Sequence, residues 1–150
     1  MAENYDNLKL ENQLCFPLYA CAKEVTRRYK PFLSEFDLTY TQYIVMMVLW
    51  ERREVNVKEL GDCLYLDSGT LTPLLKRLEQ KGLLSRERSR EDERSLIVRI
   101  TEAGDQLRER AARIPGEMRG CIQLAPEEMR VLYTLLYKVL NSIEESMEKE

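Results

Sequence analysis

The stretch ENQLCFPLYACAKEVTRRYKP, residues 11–31, sets Cys15 among aromatic residues: Tyr19 and Tyr29 follow it, and Tyr40 lies just beyond. A thiol reacts with an oxidant as the thiolate. The chain has no histidine, so Ser-His and Cys-His pairs are excluded. Phenol O–H donors, nearby cations and a helix N-terminus remain as means of favouring the anion. On a continuous helix Tyr19 and Tyr29 each fall within about 40° of Cys15. Lys23, Arg27, Arg28 and Lys30 add positive charge along the same element. If Pro17 belongs to the first turn, Cys15 also sits near the positive end of the helix dipole. Leu14, Phe16 and Leu18 oppose ionisation but would suit greasy peroxides better than hydrogen peroxide. On the residues alone two readings of Cys15 stand: a reactive thiol, and a small buried hydrophobe, the commoner fate of a free cysteine.

The other cysteines, at 21, 63 and 121, form no C-x-x-C. Without histidine or paired thiols neither a metal site nor a cofactor is expected, and a reducing cytosol would keep the thiols free. Cys21 lies about 120° from Cys15 around a helix, which disfavours a bond between them. Cys63 reads as core. Cys121 follows the loose-looking IPGEMRG and reads as mobile.

The elements that must position these groups are mostly helical. Residues 9–34 carry apolar side chains at helical spacing, with Pro31 marking the end. A second helix starts at Thr39 or Thr41 and buries residues 43–50. A helix over 57–64 is followed by a tight turn and by another helix, capped by Asp67 or Ser68 and closed by Gly82. Leu71, Leu74, Leu75 and Leu78 share one face of it. Two strand-like runs, LLSRER and SLIVRI, flank the charged turn SREDER, and Thr101 caps a further helix. The order describes a winged helix-turn-helix, mainly α with a small β-hairpin wing. A last helix begins near Pro126; its apolar positions exceed what a small core needs. With the first helix it leaves two apolar faces that a symmetric dimer would bury, a single larger core being the alternative. We expect one domain over 1–150, with dimerisation helices at about 9–34 and 105–150 around a winged helix-turn-helix at about 40–104.

Overall charge by itself argues against a generic nucleic-acid binder, and its distribution along the chain says more. Hydrophobic residues make up 44% and charged residues 33% of the 150, ordinary for a soluble globular chain. The longest apolar run, residues 43–50, is too short to span a bilayer, and no signal pattern opens the chain; a cytoplasmic protein with no membrane partner is expected. Net charge is −3, yet residues 76–99 hold eight Lys/Arg against five Asp/Glu. A basic island on an acidic body suits a face presented to phosphates; on charge alone a solvated hairpin of mixed charge fits it equally well. Ser68, Thr70 and Thr72 at a helix start suit phosphate and base-edge contacts, and an arginine at a hairpin tip, here Arg94, suits minor-groove insertion.

TEAG after a winged hairpin, with DERS in the wing, resembles the MarR family of dimeric bacterial transcription regulators. KLENQLCF, YKP, LTYTQY, LYLDSGTLTPLLKRLE and RSREDERS closely resemble the organic-hydroperoxide-sensing repressors within it, over roughly residues 9–104. The resemblance implies a homodimer that binds an inverted-repeat DNA operator when reduced. It would release the operator when an organic hydroperoxide oxidises Cys15. Tyr29 and Tyr40 would hydrogen-bond the cysteine across the dimer interface, with Tyr19 as a further neighbour. Asp67, Ser68, Thr70, Thr72 and Arg77 would serve the recognition helix, Arg86 and Arg94 the wing, and Asp92 would brace Arg94. Some relatives resolve the oxidised cysteine with a second cysteine of the other subunit, a role open to Cys121; others form mixed disulfides with small thiols. The chain is then not an enzyme. Rival readings are a MarR-type regulator released by an aromatic or phenolic ligand with Cys15 structural, a thiol peroxidase, and an architectural DNA-binding protein.

Overall fold

Two short capping devices organise the middle of the chain in the computed structural model, which describes residues 4–150. Thr39 caps helix α2 (Tyr40–Arg52) through a capping box. Its hydroxyl accepts the Gln42 N–H at 3.3 Å, and the Gln42 side chain accepts the Thr39 N–H at 3.1 Å. Asp67 caps α4 (Ser68–Gln80) by accepting the Thr70 N–H at 2.8 Å. Between them lie strand β1 (Glu54–Asn56) and helix α3 (Val57–Leu64), and after them β2 (Leu84–Arg88) and β3 (Leu96–Ile100). Helix α1 (Cys15–Leu33) precedes this block and α5 (Glu102–Ala111) follows it.

The chain divides into two units, residues 1–115 and 116–150. The core of the first is built from Leu33, Val45, Met46, Leu49, Leu60, Leu71, Leu75, Leu78, Leu84 and Val98, all at most 2% exposed. Burying side chains of this size contributes about 1.5–3 kcal/mol each, which is what holds the short helices α3 and α4 at their turn. Gly82, at φ +75°, ends α4 in the left-handed region that an L side chain resists.

Several elements differ from the sequence reading. Helix α1 starts at Cys15 rather than at residue 9, with short 3-10 turns at Asp6–Leu8 and Leu10–Asn12 before it. Pro17 falls in its first turn, where the missing N–H costs nothing. Pro31 lies inside the last turn and α1 continues to Leu33. The wing is a three-stranded antiparallel sheet in the order β1-β3-β2, not a two-stranded hairpin. Val55 sits opposite Val98 in it, both buried. IPGEMRG is not loose: helix α6 (Ile114–Arg119) forms there, with Ile114 and Met118 buried. Cys63, expected in the core, is exposed on α3.

The TEAG turn has a steric reason. A Cβ at Gly104 would meet the Leu83 carbonyl oxygen at 2.1 Å. The Gly104 N–H donates to the Thr101 hydroxyl, and its carbonyl accepts the Trp50 indole N–H at 2.8 Å. The second unit is dominated by α7 (Pro126–Glu148), opened by Pro126 and by Glu128, whose carboxylate accepts the Ala125 N–H at 2.8 Å. No residue of α7 is buried; Val131, Leu132, Leu135, Leu136, Val139 and Ile143 all face outward.

Candidate functional site

Cys15 is the first residue of α1 and is exposed, as are its neighbours Leu14 (75%), Phe16 (43%) and Tyr19 (64%). Tyr19 stands one turn on, along the same face. Tyr29 shares that azimuth but lies fourteen residues later on an unbroken helix, about 21 Å along its axis at 1.5 Å per residue. That gap exceeds the reach of any tyrosine toward a cysteine of its own chain.

Tyr29 and Tyr40 do meet each other. Their ring centroids are 4.9 Å apart, and a third ring that sequence reasoning missed, Tyr43, lies 5.8 Å from Tyr29 and 6.4 Å from Tyr40. Tyr43 was hidden inside an apolar run that reads simply as core. Burial pushes the Tyr29 and Tyr40 phenols up, with the Tyr40 ring adding to the effect at Tyr29. Burial, then the two neighbouring phenols, push Tyr43 to about 12. All three are therefore O–H donors at neutral pH. Tyr43 continues by an edge contact of 6.2 Å to Trp50.

The residues expected to read DNA fall into three places. Asp67 at the cap of α4, Ser68 and Thr72 within it, and Asp92 and Arg94 of the wing line one groove of about 610 Å³ that also runs along α3. Thr72 donates to the Ser68 carbonyl at 2.8 Å. Asp92 accepts the backbone N–H of Arg94 at 3.0 Å, bracing the loop and not the guanidinium, which has no partner among the described residues. The wing tip is closed by Ser89 N–H to Ser95 carbonyl at 2.8 Å and Ser95 N–H to Asp92 carbonyl at 2.9 Å. Thr70 and Arg77 line a separate recess with Thr39 and Thr41. Arg86 is turned inward, on the Glu79 carboxylate at 3.1 Å, with its side chain 22% exposed.

Cys121 lies exposed in the turn after α6, and Cys21 is exposed on α1. Among the described residues no three His, Cys, Asp or Glu side chains gather to hold a metal, and no helix is long and apolar enough to cross a membrane. A cleft of about 710 Å³ between α1, the start of α2 and the end of α4 collects Arg27, Lys30, Tyr40, Arg77 and Lys81.

Residues 27–110 match the family described as transcriptional regulator SarA/Rot. The chain is 48% identical, over 143 residues, to the organic hydroperoxide resistance transcriptional regulator of Bacillus subtilis (strain 168), covering 95% of this chain and 97% of that protein. Reduced AbfR bound to DNA superposes with a TM-score of 0.77 at 35% identity, over 92% of this chain and 96% of that one; AbfR is a protein of Staphylococcus epidermidis. Disulfide-formed AbfR superposes less well, with a TM-score of 0.63 at 36% identity over 90% and 95%.

Proposed function

The chain belongs to the MarR family of winged helix-turn-helix transcriptional regulators, and on that footing we propose that it is a redox-sensing repressor. As a homodimer it binds an inverted-repeat operator while Cys15 is reduced, and it leaves the operator when an organic hydroperoxide oxidises that thiol. The observation that carries this reading is the separation of Cys15 from the tyrosine cluster by about 21 Å of continuous helix. Each half of the sensor is incomplete in one chain. The exposed apolar residues of α7 and of the start of α1 call for a covering partner. A two-fold partner that covers them can bring its own Tyr29 and Tyr40 to Cys15.

The chemistry then balances simply. The Cys15 thiolate attacks the outer peroxide oxygen, the O–O bond breaks, and the alkoxide leaves with a proton as the alcohol. Sulfur is oxidised to sulfenic acid and the peroxide is reduced. Condensation with the thiol of Cys121 of the other subunit, or with a small thiol, forms a disulfide and releases water. Either product removes the anion that the phenols donate to, and the two recognition helices lose their spacing of about 34–36 Å, one DNA turn. In the DNA-bound state α4 enters the major groove with Asp67, Ser68, Thr70, Thr72 and Arg77 at its edges, and Arg94 enters the minor groove.

A second reading, release by an aromatic or phenolic ligand with Cys15 structural, is favoured by the cation-lined cleft beside Tyr40. One experiment separates the two. Reduced protein is bound to a palindromic duplex and treated with one equivalent of cumene hydroperoxide, alongside Cys15→Ser and Cys121→Ser. Release in wild type that vanishes in Cys15→Ser supports the sensor, and non-reducing mass in Cys121→Ser identifies the resolving thiol. Wild type that stays on DNA refutes it.

A further inference from the structure

A winged reader uses two tools at once, a helix in the major groove and a hairpin tip in the minor groove, so the angle between them has to be fixed. In this chain they are joined by a three-residue turn around Gly82. We propose that Glu79 and Arg86 form a positioning pair that sets the wing against α4, so that Arg94 reaches the minor groove when α4 is seated. This rests on the DNA-binding part of the function proposed above and deepens it; neither residue need touch DNA.

Three observations carry the assignment. Glu79 stands in the last turn of α4, and both of its carboxylate oxygens are engaged by one residue of β2. Oε2 accepts the Arg86 backbone N–H at 2.9 Å and Oε1 accepts the Arg86 Nη2 at 3.1 Å. Strand β2 is an edge of the sheet, since β3 pairs it on one side only. The outward N–H of an edge residue ordinarily goes to water or to another chain. Here the recognition helix takes it, so the wing is tied to α4 through its backbone as well as its side chain. Among the described residues these are the side-chain hydrogen bonds linking α4 to the sheet.

The pair is also costly to keep, which a surface ion pair is not. The Arg86 Nε is buried with no hydrogen-bond partner, a desolvation penalty that an alkyl side chain would avoid. Arg86 supplies charge to Glu79 in return: its side-chain and backbone hydrogen bonds, and then its charge, hold that carboxyl below the usual carboxylate range. The other charged contact of the wing has a different job. Arg99 reaches Glu54 and Glu87 across the three strands and stiffens the sheet within itself without fixing its angle to α4.

The test is a double-mutant cycle on DNA affinity, measured under reducing conditions. The probe is a short duplex carrying the inverted repeat that wild-type protein enriches from a random pool. Glu79→Ala and Arg94→Ala are combined, and thermal midpoints are recorded for each. Glu79→Ala should weaken binding roughly tenfold, the scale of one lost base contact, yet cost less than about twofold when Arg94 is already alanine, because a misplaced wing without its arginine has nothing left to lose. If Glu79→Ala does not fold, Glu79→Gln, which keeps the shape and one acceptor, enters the same cycle. Equal losses in both backgrounds overturn the proposal, as does an unchanged affinity in the single variant. If Arg94→Ala itself binds like wild type, the minor-groove reading has failed, and the positioning role fails with it for a distinguishable reason.

Discussion

Mixing two crippled chains should restore part of the sensor. One partner carries Cys15→Ser; the other carries Tyr29→Phe and Tyr40→Phe. Along α1 Cys15 and Tyr29 are about 21 Å apart, far beyond hydrogen-bond reach, and Tyr40 packs on Tyr29, so neither chain can assemble the site alone. If the site forms between chains, the mixed dimer pairs the surviving cysteine of one with the surviving tyrosines of the other. Random reassortment of equal amounts makes half of the dimers mixed, each with one intact site, about one quarter of the wild-type number. The tyrosine variant by itself should react at least about tenfold more slowly, taking roughly 1.5 kcal/mol for a hydrogen bond to a charged group. The assay traps sulfenic acid by mass during a short exposure to one equivalent of cumene hydroperoxide, after co-expression with two different tags. A fast phase of about a quarter of the wild-type amplitude is expected. A mixture that reacts no faster than the average of its two pure components refutes the inter-chain site.

Two further outcomes are expected. Burial, then the neighbouring phenols of Tyr29 and Tyr40, push the Tyr43 phenol up from its ordinary 10.0 to about 12 in the folded chain. Its contribution is therefore complete below pH 10 and is lost as the pH rises toward 12, by on the order of 2 kcal/mol. Urea unfolding on either side of pH 10 should show a fall in stability that shrinks in Tyr43→Phe; an equal fall in both proteins would contradict the packing argument. Gly104→Ala should destabilise by roughly 2–4 kcal/mol, since its Cβ would collide with the Leu83 carbonyl. A loss under about 0.5 kcal/mol in the same assay would mean that the turn yields easily.

The sequence was most legible where a local rule and the core agreed. Helix α3 spans the residues expected of it, and α4 follows from an Asp cap, four leucines on one face and a closing Gly82. Strand β1 was not legible because its single buried residue, Val55, leaves no alternation to detect. Cys63 reads as core but is exposed, because a two-turn helix containing Leu60 and Leu64 does not fix which of its flanks is covered. For IPGEMRG, a proline and a glycine read as breakers, although Pro115 needs no N–H partner in the first turn of α6. At the site, periodicity supplies angle and not distance: it put Tyr29 beside Cys15 in projection while the helix carries it far along the axis. Arg86 is recognisable in sequence as part of a basic island, but its partner Glu79 is set by the fold of β2 against α4, which no local pattern encodes.

Trp50 is the single tryptophan of the chain. It touches Tyr43 by its ring and helix α5 by its indole N–H, through the Gly104 carbonyl. Light absorbed by the Tyr29, Tyr40 and Tyr43 cluster therefore has a nearby acceptor. The emission of that acceptor depends on the polarity and hydrogen bonding at the junction between α2 and the first turn of α5. The molecule thus carries a built-in optical gauge, at a place where no label has to be attached.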